Sequence, residues 1–136
     1  MVICASGAAW AIWLMAAPVW PLPLSAAAYA VGAKVCHQIA ARSFHLAGAQ
    51  MAICARCAGI YAGTAVGLAS LAWLGEGRAV RACSSRNVVL IGAVPVCLSV
   101  AIEWGAGAVV GNWMRFASGV VAGGAVATVV ARAALR

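Results

Sequence analysis

The chain has 136 residues, of which 66% are hydrophobic and 8% charged, and it carries a formal net charge of +7. Its mean hydropathy of +1.04 lies far outside the range of soluble globular domains, in which about 25% of residues are charged, so a membrane protein is expected and a water-soluble fold is excluded. The basic residues are scattered over loops, a pattern of membrane topology and not of a nucleic-acid footprint.

In hydrocarbon only helices and closed barrels satisfy the backbone, and no two-residue alternation suggests a barrel, so the expected fold class is all-α. Residues 1–136 make one membrane domain, a polytopic bundle of about four transmembrane helices, since each crossing takes about 20 apolar residues. The first span covers residues 2–17, stops before Pro18 and carries Trp10, Trp13 and Trp20 toward its end, as interfacial aromatics do. It has no basic leader region and is followed by prolines instead of a prompt cleavage site, so it reads as a span and not as a signal peptide. Pro18, Pro21 and Pro23 open an interfacial region, residues 18–57, in which Ser25 to Val35 can form a short helix before a polar loop. The remaining spans cover residues 53–74, 87–110 and 113–131.

Arg78, Arg81 and Arg86 crowd the connection between the second and third spans, and Arg132 and Arg136 follow the fourth. Basic short loops stay inside, so both termini are expected in the cytoplasm of a prokaryotic cell and the chain in its inner or plasma membrane. Lys34, Arg42, Arg56 and Arg115 then face outward with the Cys/His region, which becomes extracytoplasmic. On this arrangement Glu103 and Arg115 lie on adjacent antiparallel helices at similar depth, where a carboxylate and a guanidinium are expected to pair or face a cavity.

The chemistry is concentrated in "VCHQIAARSFHLAGAQMAICARCAGIY", residues 35–61. Cys54 and Cys57 form a C-x-x-C whose sulfurs point to one side of a helix, and Cys36 supplies a third sulfur across a loop long enough to fold back. His37 or His45 is the candidate fourth ligand; Cys36 and His37 can reach one ion only if the preceding helix ends there. Three thiolates and an imidazole suit tetrahedral Zn²⁺. Arg56 between the thiols and a helix start at Cys54 would equally activate a redox dithiol. Cys4, Cys83 and Cys97 are expected to be buried small hydrophobes. Tyr61 shares the face of Cys54 and Cys57, while Gly59, Gly63 and Gly67 form a packing ridge on the opposite side. Gly119 with Gly123, or Gly107 with Gly111, offers it a matching patch, within one chain or in a homodimer. Trp73, Trp104 and Trp113 read as interface anchors.

The segments C36-H37-Q38, R42-S43-F44-H45, C54-A55-R56-C57 and G59-I60-Y61, with N112, R115 and G119, resemble the signature of a family of small prokaryotic integral membrane proteins, domain of unknown function 2085. The resemblance covers about residues 34–124 and implies that Cys36, His37, Cys54, Arg56, Cys57 and Tyr61 act as a unit. It supplies no mechanism.

Three functions therefore compete. The first is a membrane protein with a Cys/His zinc site, structural or catalytic, with Glu103, Arg115, Arg56 and Tyr61 as candidate catalytic groups. The second is a thiol–disulfide or quinone-linked oxidoreductase using the C-x-x-C. The third is an accessory subunit of a larger membrane complex, or a metal-ion carrier.

Overall fold

A computed structural model describes residues 2–75 and 81–134, with side chains from Ala5 onward. Arg78, Arg136 and the side chain of Cys4 lie outside the described residues.

The chain is built of helices: α1 (Val2–Met15), α2 (Leu22–Val35), α3 (Ala55–Leu74), α4 (Ser85–Gly105) and α5 (Asn112–Ala134). The last three, of 20, 21 and 23 residues, are long and apolar enough to cross a membrane. At about 1.5 Å per residue they match the roughly 30 Å hydrocarbon layer. By contrast α1 has 14 residues, about 21 Å at the same rise, and continues into a 3₁₀ turn at Ala17–Val19 where Pro18 interrupts the α-helix.

Element ends follow local chemistry. Pro23 lies in the first turn of α2, where a missing N–H costs nothing. The Ser84 hydroxyl caps α4 by accepting the Asn87 N–H at 3.2 Å. Gly75 ends α3 at φ 69, a left-handed conformation that glycine adopts freely. The third span was expected to run to residue 110, but α4 stops at Gly105: Gly107 takes φ 63, and the N–H groups of Ala106 and Ala108 fold back onto the Ile102 carbonyl.

Small residues set how the long helices meet. A Cβ on Gly59 would lie 2.1 Å from the Phe116 carbonyl oxygen, and one on Gly63 2.3 Å from that of Val120. From the other side, a Cβ on Gly119 would meet the Arg56 oxygen at 2.3 Å and one on Gly123 the Ile60 oxygen at 2.2 Å. The contacts advance together along both chains, so α3 and α5 run parallel, backbone against backbone, held by dispersion and short-range packing. The glycine ridge of α3 therefore pairs with Gly119 and Gly123 within one chain, while Gly107 and Gly111 have open space beside them. α4 runs antiparallel to α5 along its flank, with Gly92 against Ala125.

At the end where α3 begins, α1 packs against it, and α2 folds onto α1 and the 3₁₀ turn that follows it. Leu14, Ala17, Ala28, Cys36, Ala52, Ile53 and Ala58 form the buried cluster there. Cys97, expected inside, is exposed on α4; a thiol is apolar enough to face lipid at little cost.

Gly63→Leu should destabilise the protein by about 2 kcal/mol or more, because the displaced group is backbone and cannot yield. Gly124→Ala, at a site with nothing within 4 Å, should be near neutral. Unfolding of the two variants in mixed detergent micelles checks this pair, and equal stability would contradict the parallel packing.

Candidate metal centre

Three helix ends converge on one carboxylate. Glu103, in the last turn of α4, receives Arg56 from α3 at 2.7 Å on Oε2 and Arg115 from α5 at 2.6 Å on Oε1. Its side chain is 4% exposed, against 14% for Arg56 and 7% for Arg115. The expected pairing of Glu103 with Arg115 is present, and Arg56 joins it. Arg56 also donates to the Ser99 hydroxyl at 3.1 Å, one helical turn before Glu103. Its guanidinium is thus engaged by α4, while the residue shares a cavity wall with the thiols that flank it in sequence.

Arg115 also reaches the loop. Its Nη1 donates to the Asn112 side chain at 2.5 Å and to the Ala41 carbonyl at 3.3 Å, and Asn112 Nδ2 donates to the Ser43 carbonyl at 3.0 Å. Phe44 packs on Trp113 and Phe116 with ring centroids 4.9 Å and 5.9 Å away. Trp113, expected as an interface anchor, is also a packing partner of the loop.

The loop has its own lock. After a 3₁₀ turn at Ala40–Arg42 the chain forms a two-stranded hairpin, β1 (His45–Leu46) and β2 (Ala49–Gln50). Ala47 and Gly48 make the turn at φ 52 and φ 80, the pair of positive values that a tight two-residue hairpin needs. Gln50 Nε2 donates to the Gln38 carbonyl at 2.6 Å, and the Tyr29 hydroxyl donates to the Gln50 carbonyl. Gln38 stands at φ 49, and its Nε2 bridges the carbonyls of Tyr29 at 2.9 Å and Ala52 at 2.8 Å. The bridge ties α2 and the residues just after it to the segment that leads into α3. Gly32 permits it, since a Cβ there would meet the Ala52 oxygen at 2.4 Å.

This lock brings the cysteines together. α2 ends at Val35 and Cys36 is extended (φ −148, ψ 142), so the helix ends where a shared Cys36–His37 site requires, but the ligand atoms that gather are those of the three cysteines, without His37 or His45. Cys54 occupies the cap position of α3, and its backbone N–H donates to the Cys36 sulfur at 3.1 Å. The sulfurs of Cys36, Cys54 and Cys57 all lie within 4.8 Å of one another, and the three thiols are free. Hydrogen bonds from the Cys54 and then the Cys57 thiol, against the opposing effect of burial, hold the Cys36 thiol well below the usual thiol range.

Tetrahedral zinc with bonds of about 2.3 Å places its sulfurs about 3.8 Å apart, so a contraction of at most about 1 Å would fit these three to one ion. His37 is exposed and lines a cavity of about 390 Å³ with all three cysteines, Arg42, Arg56 and Trp104. His45 is exposed in β1, on the hairpin. Tyr61 is half-buried against the cluster that contains Cys36.

Sequence reasoning passed over Ser99 and Gln50, and met Ser43 only within the segment R42-S43-F44-H45; the three complete the polar network. Only Ser99 had a visible signal: it lies four residues before Glu103, on the same face of an otherwise apolar helix.

A family model described as a predicted membrane protein (DUF2085) matches residues 36–129, from the first of the three clustered cysteines into the last long helix. An uncharacterized protein of Methanocaldococcus jannaschii is 51% identical over 45 residues, which cover 33% of this chain and 29% of that protein's length. No solved structure matches the chain.

Glu103→Gln would leave two buried guanidinium groups without their counter-charge and should cost about 3 kcal/mol or more, as breaking a buried ion pair does. Detergent unfolding of the variant tests this, and a loss below about 1 kcal/mol would contradict the role assigned to the carboxylate.

Proposed function

As the chain belongs to the DUF2085 family of predicted membrane proteins, we propose that it is a small integral membrane protein holding one zinc ion at Cys36, Cys54, Cys57 and His37. The observation that carries this reading is the approach of three sulfurs, from two segments 18 residues apart, to within 4.8 Å of one another. Zinc at three thiolates and an imidazole is a closed set, the pattern of structural sites. The ion would clasp the end of α2 to the start of α3 and fix the loop over the bundle. Glu103, with both oxygens engaged by guanidinium groups, serves on this reading as the counter-ion of the helix ends and not as a proton acceptor.

α1 is read as a fourth, short span. Its buried Leu14 packs at the sulfur end with Ile53, so it runs in the same direction as α4. Arg132 reaches the Cys83 carbonyl at 3.0 Å and the Ser85 hydroxyl at 3.2 Å, gathering that arginine with Arg86 at the far end of the bundle. Basic segments stay in the cytoplasm, so the sulfur end is assigned to the outer face of the plasma membrane. Cysteines introduced singly at Ser25 and Ala134 in a chain otherwise lacking accessible thiols should react with an impermeant reagent on intact cells at Ser25 only; the reverse pattern inverts the assignment.

A second reading has one observation in its favour. The Cys36 sulfur accepts the Cys54 N–H and is held toward the thiolate form, a feature of reactive thiols as well as of metal ligands. On that reading Cys54 and Cys57 would cycle between dithiol and disulfide with Cys36 as the resolving thiol, passing two electrons to a partner disulfide or quinone and releasing two protons.

One experiment separates them. Protein purified in detergent without chelator should carry about one zinc per chain, and Cys36→Ser should lose most of it together with thermal stability, since zinc binding is coupled to folding. A zinc-free wild-type preparation with a reducible Cys54–Cys57 bond would overturn the zinc site in favour of the dithiol.

A further inference from the structure

The sulfur end holds more positive charge than its own residues neutralise. Arg56 and Arg115 share the single carboxylate of Glu103, which leaves one charge in excess. Arg42 adds another. It ends the 3₁₀ turn after α2, is half-buried, and lines the cavity of about 390 Å³ beside His37, Gln38 and Trp104. Among the described residues its guanidinium makes no ion pair and no side-chain hydrogen bond, although Asn112, Gln38, Gln50 and Arg115 are all engaged nearby. One thiolate without the ion, or three thiolates around a divalent ion, carry the same single negative charge against these two positive ones, so the cavity wall is singly positive in either state. The sign of the cavity therefore does not depend on the metal.

A guanidinium at the edge of a low-dielectric layer is costly without a counter-charge, and its planar fork matches an oxyanion in a two-point contact. The opening has an apolar side: Val35, Ile39 and Trp104 are 49%, 43% and 78% exposed and line the same cavity. A ligand suited to both would carry an anionic head on an apolar body. The space exceeds what a bare phosphate fills, which leaves room for the group that bears it.

We propose that this cavity binds a net-anionic phosphate group, from an acidic phospholipid headgroup or a soluble phosphate ester, with Arg42 as its anchor. The fork of Arg42 would take two phosphate oxygens. His37 and Gln38 form the adjoining wall, and Trp104 with Ile39 covers the apolar portion.

The test uses the full chain, delipidated in a neutral detergent and titrated with phosphatidylglycerol, phosphatidylcholine or inorganic phosphate, with native mass spectrometry reading the bound species. Phosphatidylglycerol should bind as a single molecule about tenfold more tightly than phosphatidylcholine, the size of effect that one charge-assisted contact gives. Arg42→Gln should remove that preference while melting temperature and zinc content stay at wild-type values, and Arg42→Lys should restore part of it. Displacement of the lipid by millimolar phosphate would identify a soluble source, whereas selectivity that phosphate does not disturb would identify the lipid. Cys36→Ser, which abolishes the zinc site, should keep the preference, so the two readings fail separately. Equal binding of both lipids with no effect of phosphate, or an Arg42→Gln protein as selective as wild type, would overturn the proposal.

Discussion

A carboxylate shared by two arginines, where three helix ends meet, sets the depth at which everything else sits. Glu103 takes Arg56 on one oxygen and Arg115 on the other, and all three side chains are largely withdrawn from the surface. Charges in such a place are expensive singly and tolerable together, so their value lies in register more than in net stability. A slide of α3 against α4 by one turn would separate Arg56 from Glu103 and strand the arginine, leaving one carboxylate oxygen unpaired. Because Arg56 lies between Cys54 and Cys57, the same constraint fixes the height of the two sulfurs at the mouth of the bundle.

The third sulfur is placed by a different device. Cys36 belongs to the segment that follows α2, and that segment is held by hydrogen bonds of side-chain amides to backbone: Gln38 to Tyr29 and Ala52, Gln50 to Gln38. Gln38 pays for its position with a left-handed backbone, the kind of strain that persists where surrounding contacts over-determine a residue. The two devices meet where the Cys54 N–H donates to the Cys36 sulfur. Close glycine packing of α3 on α5 underlies the first, since it sets the starts of the two helices side by side, with Arg56 and Arg115 within reach of one carboxylate.

Much of this was legible in the residues, and the rest was hidden for identifiable reasons. Long apolar windows disclose α3, α4 and α5, and four-residue glycine spacing discloses the face on which α3 packs. An ionisable pair in adjacent spans discloses Glu103 with Arg115, because hydrocarbon leaves such groups few alternatives. Arg56 was harder: next to cysteines in sequence, it is turned about 100° from Cys57 by helix geometry, and its guanidinium reaches α4. The hairpin escaped because two-residue strands have no periodicity to detect. The bridge made by Gln38 depends on a positive φ that no pattern announces. The end of α4 was misjudged because Ala106 to Val110 is as apolar as a span, while Gly107 turns the backbone out of it.

The central claim is that three sulfurs from two segments enclose one ion at the membrane boundary. X-ray absorption at the zinc edge, on protein purified in detergent, measures that shell directly. The account predicts three sulfurs at about 2.3 Å with one nitrogen at about 2.0 Å. A shell of oxygen and nitrogen alone, or one containing fewer than three sulfurs, would contradict it.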